Sequence, residues 1–248
     1  MKKSLLIGLV LLFTAMFAKE GFSQNKQGEV ASGRVGAASW VFGLSTGMFL
    51  SVNDAYGRLD DQTTYGMKTG RGIDLNFKYG LGQTKRNRIT VRAGYTKMIN
   101  DDKDRFFLAA PFLTSPTPPH SFYDMISGAI GYEYVFGAPC CNKQTVGIAF
   151  TINNISAPDY NSFRGEYNNA MRMGLELTAG YEFLLGQAGK YGIGLAFKYN
   201  QANLFNKSND ALLGNHNLND GDGAGGQGFA RKIGIFSINA AFNIYGGY

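Results

Sequence analysis

The chain has 248 residues and a formal net charge of +6, with 17 % charged residues, 14 % aromatic residues and 34 glycines. This mild positive charge does not favour a nucleic-acid partner. High glycine and aromatic content with few charges favours short, closely packed β-strands over helices. The length is compatible with one β domain.

The first segment, residues 1–23, has the three-part pattern of a secretory signal peptide. A basic start precedes an apolar run over Leu5–Phe17, and small residues favour cleavage after Ser23. This run is shorter than the ~20 residues that a membrane-spanning helix needs, and no later stretch is apolar enough for one. If the exported chain enters a membrane, it must therefore form a closed barrel. Residues 24–38 are predicted to be a short periplasmic leader.

Eight stretches after the leader alternate apolar with small or polar residues at period 2, the period of a β-strand. They cover Ser39–Ser51, Gly72–Leu81, Arg88–Lys97, Ile126–Phe136, Thr145–Asn153, Met171–Leu184, Tyr191–Asn200 and the closing strand Lys232–Tyr248. The connections alternate long and short, as in bacterial outer-membrane barrels with short periplasmic turns and longer outer loops. Residues 39–248 are therefore predicted to form an all-β, eight-stranded antiparallel up-and-down transmembrane β-barrel with a periplasmic N-terminus.

The two faces of these strands differ in polarity. The face rich in Ile, Leu, Phe and Tyr is predicted to contact lipid, and the face of small and polar residues suits the crowded interior of an eight-stranded barrel. The interior face also carries four cations and four anions, which should pair because isolated buried charges are costly. They are Asp74, Lys78, Arg92, Glu133, Arg172, Glu176, Glu182 and Lys198. A soluble barrel of the lipocalin type would instead turn the apolar face inward, which the loop asymmetry argues against.

Aromatic residues of the lipid face concentrate near the predicted periplasmic ends of the strands. This distribution predicts an interfacial girdle, in which the rings lie at the boundary between lipid and water. The girdle residues are Trp40, Tyr79, Tyr134, Phe136, Tyr181, Phe183, Tyr191 and Phe242. A thinner outer girdle is predicted from Tyr95, Phe197 and Tyr199.

Eight strands, four long outer connections and an aromatic chain end resemble the small outer-membrane β-barrels of the OmpA/OmpX type. Gln24 after the cleavage site is similar to such proteins of Bacteroidetes-like bacteria. The resemblance implies a location in the outer membrane, with its lipid and other envelope proteins as partners through the outer loops or periplasmic turns. It includes no catalytic motif, and no cofactor or metal is expected. The expected function is a structural or interaction role, through the outer loops or as a subunit of an envelope or secretion assembly.

Two other functions stay open. His120, Ser121 and Asp124 invite a hydrolase interpretation, since some outer-membrane barrels are lipid A deacylases. The three lie close together on a Pro-rich loop, however, and no predicted strand carries a His to act as a base. The charged interior could instead line a narrow gated channel, although eight strands leave little open space.

Two further motifs favour ordinary turns and loops. The adjacent Cys140 and Cys141 could bridge only with strain and are interpreted as residues of a tight turn. Asp220 and Asp222 hint at calcium, but their loop has no Glu to close an EF-hand site.

Overall fold

The computed structural model describes residues 38–57, 64–100, 122–137, 142–156, 170–185, 190–205 and 232–247. In this part of the chain, eight strands follow one another along the sequence. They are β1 (Trp40–Asn53), β2 (Met67–Leu81), β3 (Asn87–Asn100), β4 (Phe122–Phe136), β5 (Lys143–Ser156), β6 (Ala170–Leu185), β7 (Tyr191–Phe205) and β8 (Ile233–Gly246). No helix of the described ranges is long and apolar enough to cross a membrane.

The eight strands form a closed barrel. Each strand pairs with the next along the chain, and β8 returns to pair with β1. β1 and β8 run antiparallel to each other, and their register runs from Trp40 opposite Gly246 to Asn53 opposite Ile233. Closure removes the unpaired edges that an open sheet would present. The predicted fold, an all-β eight-stranded antiparallel barrel, is confirmed.

Strands β1 to β7 continue beyond their predicted ranges at the end that carries the long connections, whereas β8 begins one residue later than predicted. β2 begins at Met67 instead of Gly72, and β4 begins at Phe122 instead of Ile126. In these extensions the apolar side chains face inward, as Met67 and Tyr123 do with exposures of 1 % and 2 %. The prediction ended the strands early because the apolar face there changes from the outside of the barrel to the inside.

The apolar face of the main barrel wall points outward. Leu75, Ile148 and Phe242 are each about half exposed, at 49 %, 50 % and 49 %, and every strand contributes similar side chains. A soluble monomer rarely exposes a continuous apolar patch beyond a few hundred Å². This surface therefore contacts lipid, and the lipocalin-type alternative is wrong.

Several predicted features lie outside the described residues. The signal peptide and nearly all of the leader are among them. Strand β8 is described up to Gly246, two residues before the predicted end of the closing strand. The same holds for His120, Ser121, Cys140, Cys141, Asp220, Asp222 and Tyr248.

Candidate functional site in the barrel interior

Four charged side chains meet inside the barrel near the end with the short turns, and we call them the periplasmic cluster: Lys78, Arg88, Glu133 and Glu182. They come from β2, β3, β4 and β6, where the period-2 alternation points every second residue inward. Lys78 Nζ lies 2.9 Å from Glu133 Oε2 and 2.8 Å from Glu182 Oε1. Arg88 Nη1 lies 3.1 Å from each of the same two carboxylates. Each carboxylate is thus shared by two cations, and β2 is tied to β6 across the lumen.

Two interior cations were absent from the sequence prediction. Arg88 and Lys143 are only 2 % and 4 % exposed. Lys143 pairs in register with Glu182 and places its Nζ 5.1 Å from the ring centroid of Tyr245. Adding these two residues to the predicted eight gives six cations and four anions, so the predicted balance of charge is wrong. Arg88 is four residues from Arg92 and Lys143 is two residues from Thr145, so the period-2 alternation already places both cations on the inner face. They were missed because both lie at the starts of their strands.

A second group, which we call the central cluster, lies closer to the outer end of the barrel. It consists of Asp74, Arg92, Glu176 and Lys198. Lys198 Nζ lies 2.6 Å from Asp74 Oδ2. The guanidinium of Arg92 contacts both carboxylate oxygens of Glu176. These pairs join β2 to β7 and β3 to β6, strands that are three positions apart around the barrel. Since they cross the lumen, they fill it with hydrogen-bonded charge.

Arg172 belongs to neither cluster. It is buried on β6, beside Asn153 in the β5–β6 register, and its Nη1 donates to the Met171 carbonyl at 3.4 Å. Around it lies a network of neutral polar side chains. Asn153 Nδ2 donates to the Ala202 carbonyl at 3.0 Å, and Asn200 Nδ2 donates to Asn153 Oδ1 at 3.3 Å. Toward its outer end, the described part of the interior therefore carries mainly neutral polar groups around the buried Arg172.

The outer end of the interior is filled by apolar side chains, which the sequence analysis did not predict. We call this group the outer apolar cluster. It comprises Phe49, Ala55, Tyr65, Met67, Met98, Tyr123, Met125, Ile155, Ala202, Ile233 and Ile235. The hydroxyl of the buried Tyr123 is satisfied, because its Oη donates to the Tyr65 carbonyl at 2.7 Å. A layer of this kind closes the lumen on the side of the long connections.

A cavity of about 90 Å³ remains within the charged part of the lumen. Asn76, Asn243 and Arg92 line it, and Asn76 Oδ1, Asn243 Oδ1 and Arg92 Nε are buried without a hydrogen-bond partner from the protein. Pockets for small molecules usually measure about 300–1,000 Å³, so this space suits a few water molecules instead. Waters there would satisfy the three buried polar atoms.

The described residues contain no group of three or more His, Cys, Asp or Glu side chains that could hold a metal ion. Asp124, the one described member of the suggested hydrolase group, lies in strand β4 and not in a loop. Its Oδ1 accepts a hydrogen bond from Tyr95 Oη.

The predicted girdle residues lie on the outer surface, close to the short turns. Tyr191 and Phe242 stack with ring centroids 6.0 Å apart, and Tyr181 lies 4.5 Å from Phe183. The remaining four are Trp40 and Tyr79, which are register partners, and Tyr134 and Phe136, whose rings meet edge to face at 4.8 Å. Together they form an aromatic belt at the periplasmic end of the apolar surface.

No protein-family model matches the chain, and no curated protein matches it. Solved structures do. Neisserial surface protein A superposes with a TM-score of 0.50 at 11 % identity, over 85 % of this chain and 99 % of that one. The chain has the fold of a small outer-membrane β-barrel. OprG of Pseudomonas aeruginosa matches with a TM-score of 0.48 at 10 % identity, over 85 % of this chain and 99 % of that one. Ail of Yersinia pestis matches with a TM-score of 0.41 at 15 % identity, over 83 % and 99 %.

At these identities the likeness concerns the fold alone. The closed antiparallel barrel, its lipid-facing exterior and its aromatic belt are features of outer-membrane barrels. The protein is therefore located in the outer membrane, as predicted.

Proposed function

We propose that this outer-membrane barrel has a structural or interaction role, acting through its outer connections or as a subunit of an envelope or secretion assembly. The observation that carries the proposal is the filled lumen. Ion pairs join its opposite walls, and the outer apolar cluster covers them. With its interior occupied by its own side chains, the barrel has two surfaces left for partners, namely its lipid-facing wall and the segments that connect its strands.

The narrow-channel alternative has a direct test. We expect the purified full chain to leave planar lipid bilayers silent, because a permeating ion would have to displace the pairs of both charged clusters and the apolar layer. Single-channel recording checks this, with the Glu176→Gln variant as the comparison. Conductance steps whose size changes in that variant would contradict the filled-lumen argument and support a channel, since Glu176 holds Arg92 in the central cluster.

The interaction role is tested through the longest connection, residues 206–231, which joins β7 to β8. We expect its replacement by a short Gly-Ser linker to leave membrane insertion intact and to remove bound partners, because the barrel wall stays complete. The measurement is the size of the native particle extracted from the outer membrane in mild detergent, with mass spectrometry of its components. The matched control replaces the turn residues 186–189 with a Gly-Ser linker of the same length, which leaves the connection 206–231 unchanged. A variant particle that keeps every wild-type component would contradict a role for this connection.

The enzyme alternative keeps its own test. If His120 acts as a base in lipid deacylation, the His120→Ala variant loses lipid turnover that the wild type shows. Unchanged turnover would remove this hypothesis. Of this group the structure describes Asp124 alone, whose Oδ1 accepts a hydrogen bond from Tyr95 Oη.

A further inference from the structure

The short turns at the periplasmic end of the barrel carry positive charge and no negative charge. They comprise residues 82–86, 137–142 and 186–190. Their charged residues are Lys85, Arg86 and Lys190, and none of the three turns contains an Asp or a Glu. The four outer connections, by contrast, hold more acidic than basic residues. We call the three cations the basic rim.

Two members of the basic rim, Arg86 and Lys190, lie on the lumen side of the barrel wall. Val135 N donates to the Arg86 carbonyl at 2.8 Å, and Tyr245 N donates to the Lys190 carbonyl at 2.8 Å. Each bond extends the pairing of the adjoining strands by one residue. Directly opposed residues point to the same face of a sheet, and both Val135 and Tyr245 are buried in the interior. The two cations therefore project over the mouth of the barrel, where both are exposed.

The third member, Lys85, lies over the same mouth. A Cβ added at the buried Gly80 of β2 would lie 2.9 Å from Lys85 Cβ, so the stem of this lysine packs on the inward side of β2. Beneath the basic rim, Ala38, Val41 and Tyr245 form a buried apolar group. A partner can therefore contact the three cations at the mouth without entering the lumen.

The interior carboxylates at this end of the barrel are already shared by interior cations. Glu133 and Glu182 of the periplasmic cluster each contact both Lys78 and Arg88. Negative charge for the basic rim must therefore come from outside the described barrel.

We propose that the basic rim binds an acidic segment of a periplasmic protein. This inference rests on the proposed interaction role and names a surface and a partner chemistry for it. The position of the cations favours a protein segment over lipid. Tyr191, the neighbour of Lys190, points its ring outward into the aromatic belt, whereas Lys190 projects over the mouth that the belt surrounds.

The width of the barrel sets the length of the acidic segment. The turns with Arg86 and Lys190 lie four strand positions apart in a closed ring of eight, which places them on opposite sides of the mouth. Eight strands about 4.8 Å apart and tilted by about 40° give a barrel roughly 16 Å wide. An extended chain rises about 3.4 Å per residue, so about five residues cross this mouth.

The test measures peptide binding by the full chain in neutral detergent at low ionic strength, using fluorescence anisotropy. The probe is a labelled hexapeptide of alternating Asp and Ser, and the same peptide with Asn at every Asp is the comparison. The Lys85→Gln/Arg86→Gln/Lys190→Gln variant should bind the acidic peptide about tenfold more weakly, because it loses three exposed charge pairs. Wild-type binding should also weaken as salt is added, since the rim is exposed to solvent.

The matched control is the Arg58→Gln/Arg105→Gln/Arg164→Gln variant, which loses the same charge from three outer connections and should bind like the wild type. Equal weakening in this control would overturn the proposal, because binding would then follow the overall charge of the protein. Equal wild-type affinity for the Asn peptide would overturn it as well. Displacement of the acidic peptide by an equal concentration of short-chain phosphatidylglycerol would indicate a site for lipid headgroups instead.

The fluorescence of Trp40 shows whether each variant is folded. If the triple variant fails to fold, Arg86→Gln/Lys190→Gln gives the same test, since both side chains are exposed. The proposed function is tested separately by the native particle. A lone wild-type barrel in mild detergent would count against a role as a subunit, whereas the peptide measurements decide the inference about the basic rim.

Discussion

The Glu182→Ala variant should lose about 3–5 kcal/mol of unfolding free energy, the usual cost of removing one partner from a buried ion pair. Glu182 accepts hydrogen bonds from Lys78 Nζ at 2.8 Å, from Arg88 Nη1 at 3.1 Å and from Tyr245 Oη at 3.2 Å. Without it, Lys78 and Arg88 share a single carboxylate, Glu133. Their repulsion inside a lumen that excludes bulk water accounts for the size of the effect.

Urea unfolding of the barrel in lipid vesicles measures this loss. Trp40 is the only tryptophan of the chain, and it lies in the aromatic belt, so its fluorescence reports the transfer of that belt out of lipid. The Lys78→Ala/Glu182→Ala double variant is the matched comparison. It should lose less than the sum of the two single variants, because removing the cation relieves part of the excess charge. A loss below about 1 kcal/mol for Glu182→Ala would show that water already screens this cluster.

Reversing the charge of Arg92 should be the most damaging single change. Arg92→Glu replaces the bidentate partner of Glu176 with a third carboxylate beside Asp74 and Lys198. Each like-charge contact near 4 Å costs about 4 kcal/mol at an effective dielectric constant of ~20. We therefore expect little or no folded barrel in vesicles, judged by circular dichroism and by Trp40 fluorescence.

The double reversal Arg92→Glu/Glu176→Arg distinguishes charge from shape. It restores one cation and one anion on the same two strands, and should recover more than half of the lost stability. The Lys190→Glu variant, at an exposed position before β7, makes the same change of net charge and should fold like the wild type. If the double reversal folds no better than Arg92→Glu, the position and hydrogen-bond geometry of the Arg92 guanidinium matter more than the pairing of opposite charges.

The ion pairs inside the lumen also affect the parts of the barrel that meet its surroundings. A barrel whose walls are joined internally by charge holds its strand ends at set positions, so the connecting segments are presented on a stable frame. The proposed structural and interaction roles therefore use different parts of the same barrel, and each can be tested without disturbing the other.

The sequence by itself determined the barrel. Period 2 identified eight strands because side chains alternate sides along any strand, and the alternation of long and short connections ordered them into an up-and-down topology. The same parity assigned Lys78, Glu133 and Glu182 to the inside and Tyr79 and Phe242 to the outside. These assignments follow from local geometry alone, since the direction of a side chain depends on its position within its own strand.

Only the tertiary structure decided which interior residues meet. Lys78 contacts Glu182 from a strand 104 residues away, and this depends on the closure and the register of the whole barrel. The outer apolar cluster was missed for a related reason. Beyond the lipid band the solvent outside is water, so apolar side chains such as Met98 and Ile233 are most stable inside, and the pattern that identifies a lipid-facing strand no longer applies.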